Sequence, residues 1–545
     1  MTELDLIKMP SMTAKDDQFS SRRLENSNIA VAVIVPAVVA HNLDPHTGIP
    51  FMPHMAAHMA GALDYFGYDV QVIDCFGLDP HQRRITGEFM IMGVGEDWVV
   101  QNLKKNVRIV YLYCRTVEDL ISTERIALAI KKARPQVKVC LFENIQTVNS
   151  FSLKHIVEEL FQKLDCDCAL LSEPERRAET VTRALINGEP LESIPSLAFR
   201  KNGRLVITPD ASFDRQLDEL SFPLWEKFPL EGYWTVGFAH APIGRYRFLP
   251  ILTSRGCPYR CTFCISPEVN PRWRGRSGKN VADEMEYFYR KMNITDFHVS
   301  DLDPTVDDRR TRDICQELIR RDLPITWKLA QGTKIETIKN EETLELMAKA
   351  RCAFISFSPE TGSPKLLKIM NKPFDHEHAL RMVKKMDQLG IRTQACFIAG
   401  VPGEDEEDRR LSCAYVKKLV RAGVDEIAVT IFTPLPGAVL SKSLEGYTHY
   451  SQLTHSPRWR KDFSKIQAFR YRMYLTFFSS KLIKPAKVLR EIKGFLTGKF
   501  ETKMEMSIFK QIKLRLMYAF PFLFKRLDPN RKSRELEAVK RRQNV

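Results

Sequence analysis

Residues 250–264 read PILTSRGCPYRCTFC. A short apolar run, PILTS (250–254), leads into a loop that carries Cys257, Cys261 and Cys264 at C-x3-C-x2-C spacing. The run has the length and composition of a buried strand, and it opens a series. DFHVS (296–300), ITWKL (325–329), AFISFS (353–358), RTQACFIAG (392–400) and EIAVTIFT (426–433) repeat its character, with helical segments between them. Two such segments are VADEMEYFYRKM (281–292) and HALRMVKKMDQLG (378–390); Gly390 closes the second as a C-cap. Alternation of this kind predicts an α/β domain with a parallel sheet. Six units are too few for the standard eight-unit barrel. The expectation for 246–445 is therefore an open, partial (β/α)6 barrel with its functional groups at the carboxyl ends of the strands.

Upstream, residues 29–207 carry a second alternating series. VAVIVP (31–36), VQVID (70–74), RIVYLYC (108–114), VKVCLF (137–142) and DCALL (167–171) read as strands. Apolar residues recur at helical spacing from Pro53 to Tyr65, and Gly67 can end that helix. These runs are nearly free of polar interruption, as strands buried on both faces must be. They predict a doubly wound parallel sheet. SLAFRKNGRLVI (196–207) differs and reads as a hairpin turning at Lys-Asn-Gly. Residues 208–245, rich in Pro and aromatics without a clear period, read as a linker packed across the next domain.

The ends differ from the middle. Residues 1–28 are polar and of mixed charge, predicting a disordered tail without the pattern of a signal peptide. No uncharged apolar run is long enough to span a bilayer, so the expected location is the cytoplasm. The formal net charge is +15, and residues 458–545 alone hold 24 Lys and Arg against 7 Asp and Glu. The basicity thus belongs to the helical region at 446–545. Within it, 465–500 and 509–527 interleave cations with apolar residues every three or four positions, the pattern of a helix lying on the inner, anionic face of a membrane. No RNA-binding module is present, and nucleic acid is not an expected partner.

Twelve Cys in 545 residues is not the density of a disulfide scaffold. Cys114, Cys140 and Cys396 sit in strand-like runs and read as inert core. Cys257, Cys261 and Cys264 are different. Three thiolates in one short loop can hold three irons of a cubane and leave the fourth iron open. An open metal position points to catalysis rather than to structural use. A zinc site is the alternative, but it asks for a fourth Cys or His nearby. The next His is His298, and no second C-x2-C exists.

With an aromatic, Phe263, before the last Cys, this loop resembles the signature of the radical S-adenosylmethionine (SAM) superfamily. Further segments resemble that family in order, each at a predicted strand end. VSDLDPTVDDRRTRDIC (299–315) resembles its acidic second-strand segment, and FSPETGSPKLLKIMNK (357–372) its fourth-strand segment. ACFIAGVPGEDEED (395–408) and IFTPLPGAVL (431–440) are similar to the fifth and sixth. The resemblance covers roughly 245–445. It implies a [4Fe–4S] cluster on Cys257, Cys261 and Cys264 whose open iron chelates SAM. It also implies reductive cleavage of SAM to a 5′-deoxyadenosyl radical, fed by an electron donor such as flavodoxin or ferredoxin. Phe263, Asp301, Glu360, Gly400 and Pro402 are the cofactor-binding residues it implies. In this reading Gly400–Gly403 form a tight turn whose backbone approaches the adenosine, and Arg255 and Arg260 balance the charge of the cluster.

The N-terminal sheet before this core is similar to the flavodoxin-like, cobalamin-binding-type domain of the B12-dependent (class B) radical SAM enzymes. PFMPHMAAHMAGALDYFGYDVQVID (50–74) resembles that domain's first helix and second strand. LLSEPERRAETVTRALINGEPLESIPSLAFRKNGR (170–204) resembles its closing segment. The likeness implies cobalamin and a methyltransferase acting on a lipid or another small molecule. Two places depart from it. LFENIQT (141–147) has Glu143 and Asn144 where the family carries a Gly-Gly pair, and SEPE (172–175) stands for its "GEGE". The alternative left open is a cobalamin-independent cyclase or oxidative coupling enzyme. His54 and His58 are four apart on one helix face, but no third ligand accompanies them, so packing is the expectation there.

Overall fold

The computed structural model describes residues 26–41, 44, 46–146, 151–237 and 247–509. Residues 1–25 of the expected tail, and the basic stretch from 510 onward, lie outside the described residues.

Residues 30–207 carry ten strands: β1 (Ala30–Val35), β2 (Val38–His41), β3 (Asp69–Asp74), β4 (Arg83–Thr86), β5 (Phe89–Met92), β6 (Val107–Cys114), β7 (Lys138–Glu143), β8 (Cys168–Leu170), β9 (Leu197–Lys201) and β10 (Arg204–Ile207). Seven of them form one sheet in the order β10-β9-β8-β7-β6-β1-β3. The five strands from β8 to β3 are parallel, and the β9–β10 hairpin adds an antiparallel edge at the other end. The two-residue period of β1 divides the core. Val31, Val33 and Val35 pack with α1 (His54–Tyr65), whereas Ala32 and Ile34 pack with Ile126 and Ile130 of α2 (Leu120–Ala133). Helices on both faces explain why these strands read as unbroken apolar runs. Strands β2, β5 and β4 form a separate antiparallel sheet that sequence alone does not announce. Each has only four residues, too short for a periodic signal.

The linker is more ordered than its composition suggests. It contains α3 (Leu230–Val236), and its aromatic residues Trp225, Tyr233 and Trp234 are buried. Leu224 N donates to Ala57 O at 2.9 Å, and Trp234 Nε1 donates to Phe248 O at 2.9 Å. One bond reaches each domain, so the segment stitches them together.

The second domain holds β11 (Phe248–Ile251), β12 (Ser254–Arg255), β13 (Arg274–Gly275), β14 (Asp296–Val299), β15 (Thr326–Thr333), β16 (Cys352–Glu360), β17 (Arg392–Ala399) and β18 (Glu426–Ile431). Six parallel strands run in the order β11-β14-β15-β16-β17-β18 and do not close. Helices α4 (Gly278–Met292), α5 (His376–Leu389) and α6 (Glu406–Ala422) lie between them in sequence, and Gly390 ends α5 with φ 75°. The free edge of β18 is capped by the chain itself: Ile431 N donates to His455 O at 3.1 Å. Beyond it, α7 (Phe463–Lys481) and α8 (Pro485–Thr497) pack beside β18, broken by a proline that starts α8. Among the described residues no helix is long and apolar enough to cross a membrane.

Candidate active site

The C-terminal ends of the barrel strands converge around the loop that follows β12. Cys257, Cys261 and Cys264 are half-buried free thiols on that loop. Backbone bonds from three directions hold it. Cys257 N donates to Asn270 O at 3.1 Å, Thr262 N to Met370 O at 3.0 Å, and Leu440 N to Thr262 O at 2.9 Å. Gly256 has φ 79°, and a Cβ there would strike Arg272 O, so only glycine serves at the turn into Cys257. Ser266 N lies 3.4 Å from Cys264 Sγ and donates to it. Burial pushes the Cys257 thiol up to about 12 and the Cys261 thiol up to about 11. Metal uptake must therefore displace protons.

Among the described residues, no three His, Cys, Asp or Glu side chains converge on a single metal-ion position. A cubane takes one thiolate at each of three corners, and the anchored loop carries three thiols.

Around the loop, Phe263 joins an apolar cluster of Leu366, Leu367, Met370, Val401 and Phe432. Glu360 ends β16 with φ 62°, a strained conformation for a side chain of its kind. It is buried and ion-paired to Lys372. Burial works against the Lys372 charge, but the charges of Glu360 and Cys261 outweigh it. Lys372 Nζ also stands 6.0 Å from the Phe263 ring centre. Nothing in the sequence singles out this lysine; a lone cation before a proline carries no pattern.

Asp303 is a second residue that the structure brings forward. Its Oδ1 accepts from Thr305, while Oδ2 is buried without a hydrogen-bond partner. Burial lifts its carboxyl to about 7, and its charge reaches both Cys257 and Tyr259. An orphaned buried acceptor beside the thiol loop is a place for a ligand's hydrogen-bond donor.

The structure places three further residues singled out in the sequence. Asp301 does not face the site as a free carboxylate. Its oxygens accept from Thr253 N at 2.7 Å, Thr253 Oγ1 at 2.6 Å and Ser254 Oγ at 2.6 Å, which braces the chain leaving β11. Gly400 has φ 76°, but the space beside it is filled by Ile466 of α7, 2.5 Å from where a Cβ would stand. Its smallness thus admits a helix, and the turn is tied by Glu404 Oε2, which accepts from Gly400 N at 3.1 Å. Pro402 sits half-buried in that same turn. Arg255 does not reach for the thiols. It is buried and engages Glu173 and Glu175 of the N-terminal domain, while Arg260 is exposed.

The two domains meet along this side. A cavity of about 1030 Å³ opens between His155 and Glu159 of the first domain and the segment after β18, including Pro434, Gly437, Leu444 and Tyr450. It adjoins the thiol loop, since a Cβ on Gly437 would touch both His155 and Ile265. Its size stands at the upper end of ligand sites, roughly 300–1,000 Å³. A smaller cavity of about 50 Å³ is lined by His54, Arg115 and Asn144 on one side and Phe248, His298 and Gln331 on the other. His54 and His58 are buried on α1, and His54 Nε2 and His58 Nδ1 lack hydrogen-bond partners.

At the end of β7 the glycine pair's position is filled. Glu143 accepts from Ser152 Oγ at 3.2 Å, Leu153 N at 2.5 Å and Ser172 N. Asn144 Nδ2 donates to Arg115 O at 3.1 Å. Both side chains are buried. Glu143 and Asn144 thus occupy the strand end where the resemblance places a Gly-Gly pair.

Residues 251–416 match the family model of the radical SAM superfamily. An uncharacterized methyltransferase of Pyrococcus horikoshii is 25% identical over 405 residues, which cover 73% of this chain and 83% of that protein. The cytidylyl-2-hydroxyethylphosphonate methyltransferase of Streptomyces wedmorensis is 23% identical, covering 70% of this chain and 76% of its own. Among solved structures, the radical SAM methyltransferase TsrM from Kitasatospora setae superposes with a TM-score of 0.60 at 18% identity, covering 76% of this chain and 75% of that one. The cobalamin-dependent radical SAM enzyme OxsB gives 0.56 at 17% identity, over 80% of this chain and 56% of its own. These two share the order of an N-terminal sheet followed by a partial barrel. Residues 251–416 thus match a radical SAM domain, and the two-domain fold around it is like that of these solved structures.

Proposed function

We propose that the chain is a radical SAM methyltransferase acting on a lipid or another small metabolite, with electrons supplied by a flavodoxin or ferredoxin. The observation that carries the reading is the anchored loop of Cys257, Cys261 and Cys264 at the mouth of the barrel. When bound, a [4Fe–4S] cluster supplies the electron that cleaves SAM's adenosyl C–S bond, and cobalamin supplies a transferable methyl group.

The chain's own residues do the rest. The three cysteines release their protons and hold the cluster. Asp303 Oδ2 accepts a donor of SAM. Glu360 and Lys372 form a paired wall that fixes charge beside Cys261 without leaving either ion uncompensated. Phe263 and its apolar neighbours exclude water, which protects a reactive radical from quenching. The cavity of about 1030 Å³ between the domains receives the substrate next to the loop.

A second reading has a specific observation behind it. Glu143 and Asn144 fill the strand end where a corrin tail would enter, and this favours a cobalamin-independent cyclase or coupling enzyme. One experiment separates the two. The protein is purified anaerobically with iron, sulfide and cobalamin supplied, then incubated with SAM, a reductant and a lipid extract. Methyl transfer yields a corrin spectrum together with S-adenosylhomocysteine and 5′-deoxyadenosine. Formation of 5′-deoxyadenosine alone, with no bound corrin, overturns the methyltransferase reading in favour of the second.

A further inference from the structure

The barrel's outer surface carries an apolar face that none of the described residues covers. Helix α7 buries Ile466, Phe469, Met473 and Phe477 against the domain. Its opposite side is not polar. Ala468, Tyr471, Leu475, Phe478 and Leu482 follow one another at spacings of three and four, and all are exposed. After the break at Pro485, Leu489, Ile492 and Leu496 continue at the same spacing on α8, also exposed. Leu475 and Leu482 are each 70% accessible, and Leu496 is 83%. Single exposed leucines need no explanation, but two consecutive helical stripes of them do.

Most cations on these helices are paired with carboxylates: Arg472 with Glu406, Lys484 with Asp387, Lys487 with Asp387 and Asp425, and Arg490 with Asp425 and Glu501. Residues 463–500 hold nine Lys and Arg and a single carboxylate, Glu491. That carboxylate is paired with Lys481. Lys465, Lys493 and Lys499 are exposed along the same helices and the turn after them. The charge of these three lysines decides among occupants. A second copy would bring the same cations to the contact. The chain's own 510–527 segment, with five Lys and Arg and no acid, would do likewise. Six of the eight stripe residues are aliphatic and offer a base nothing to stack on; only Tyr471 and Phe478 could. A surface that accepts aliphatic side chains and carries negative charge matches both features.

We infer that α7 and α8 form a membrane-docking face, and that its partner is an anionic lipid bilayer. Leucine and isoleucine enter the acyl boundary, Tyr471 sits at headgroup depth, and the lysines meet the phosphates. The inference stands on this face alone and does not depend on the reaction.

The test is co-sedimentation of the full-length protein with vesicles. One set is phosphatidylcholine alone; the other is equal parts phosphatidylcholine and phosphatidylglycerol. The protein pellets with the anionic set and stays in solution with the neutral one. Leu475→Glu with Leu489→Glu lowers the bound fraction about tenfold or more, and Lys493→Glu with Lys499→Glu weakens binding in a salt-dependent way. All four positions are exposed, so iron loading and the thermal midpoint stay at wild-type values. The inference is overturned if the wild type ignores anionic vesicles, or if the leucine variant pellets as well as the wild type. It is equally overturned if the wild type is a dimer that the leucine variant splits, or if it takes up a single-stranded oligonucleotide in place of vesicles.

Discussion

The Arg255 guanidinium, two residues before Cys257, donates to the Glu175 carboxylate of the N-terminal domain at 2.5 Å, and both side chains are buried. Arg274, which closes the ribbon under the thiol loop, does the same with Glu173 at 2.7 Å. The first domain therefore grips the loop that begins the chemistry of the second. Removing one partner of a buried pair costs about 3–5 kcal/mol, because the other charge is left uncompensated. Glu175→Ala is expected to lower the free energy of unfolding in urea titrations by less than that full amount, because Glu173 still stands 3.8 Å from Arg255. It is also expected to speed alkylation of Cys257 and Cys261 in the apoprotein, while the strand thiol of Cys140 stays protected.

Lys372 is expected to be as important as the glutamate it faces. Lys372→Met leaves the Glu360 carboxylate buried beside Cys261 without its cation, a loss of about 3–5 kcal/mol. Adding Glu360→Gln removes the orphan charge, so the double variant regains most of that stability. SAM binding, followed by isothermal titration, stays weak in both variants if the pair serves the cofactor. Recovery of binding in the double variant would assign the pair to folding alone.

Glu143 and Asn144 are expected to limit corrin binding. Glu143→Gly with Asn144→Gly opens the end of β7 and raises cobalamin affinity, measured by equilibrium dialysis and the corrin spectrum. The variant pays in stability, since Ser152, Leu153 and Ser172 lose an acceptor, at about 1–3 kcal/mol for each group left unsatisfied. Unchanged affinity would show that this slot is not the route.

Acid is expected to loosen the domain boundary through His54. Burial, with the nearby Arg255 charge, lowers its pKa from 6.5 to about 4. Between those values the unfolded chain binds a proton that the folded one refuses. Stability therefore rises with pH across that window and is lost as pH falls from 6.5 toward 4, by about 3 kcal/mol for this group. Thermal midpoints measured from pH 7 to pH 4 should fall, and His54→Met should flatten the decline.

How far the sequence could be read followed from the kind of signal each residue carries. Parallel strands buried on both faces are contiguous apolar runs, so both sheets were legible in outline, as was the end of α5 at Gly390. The thiol loop was legible because its spacing is local. Tertiary partners were not. Asp301 and Asp303 follow the same strand two residues apart, and only the fold shows that Thr253 and Ser254 take up the first while the second keeps a free oxygen. Gly400 announces a turn, but the helix that makes its hydrogen atom necessary lies more than sixty residues away, at Ile466. Glu143 and Asn144 were visible as an anomaly in LFENIQT; that Glu143 ties three loop donors together was not.

The central claim is that Cys257, Cys261 and Cys264 together support cleavage of SAM. The most direct measurement is 5′-deoxyadenosine, quantified by mass spectrometry after the anaerobically reconstituted protein is mixed with SAM and a strong reductant. The wild type should form it, and each single Cys→Ala variant should form none above the protein-free background. A loaded wild type that leaves SAM intact, or any of the three variants cleaving it at the wild-type rate, would contradict the account.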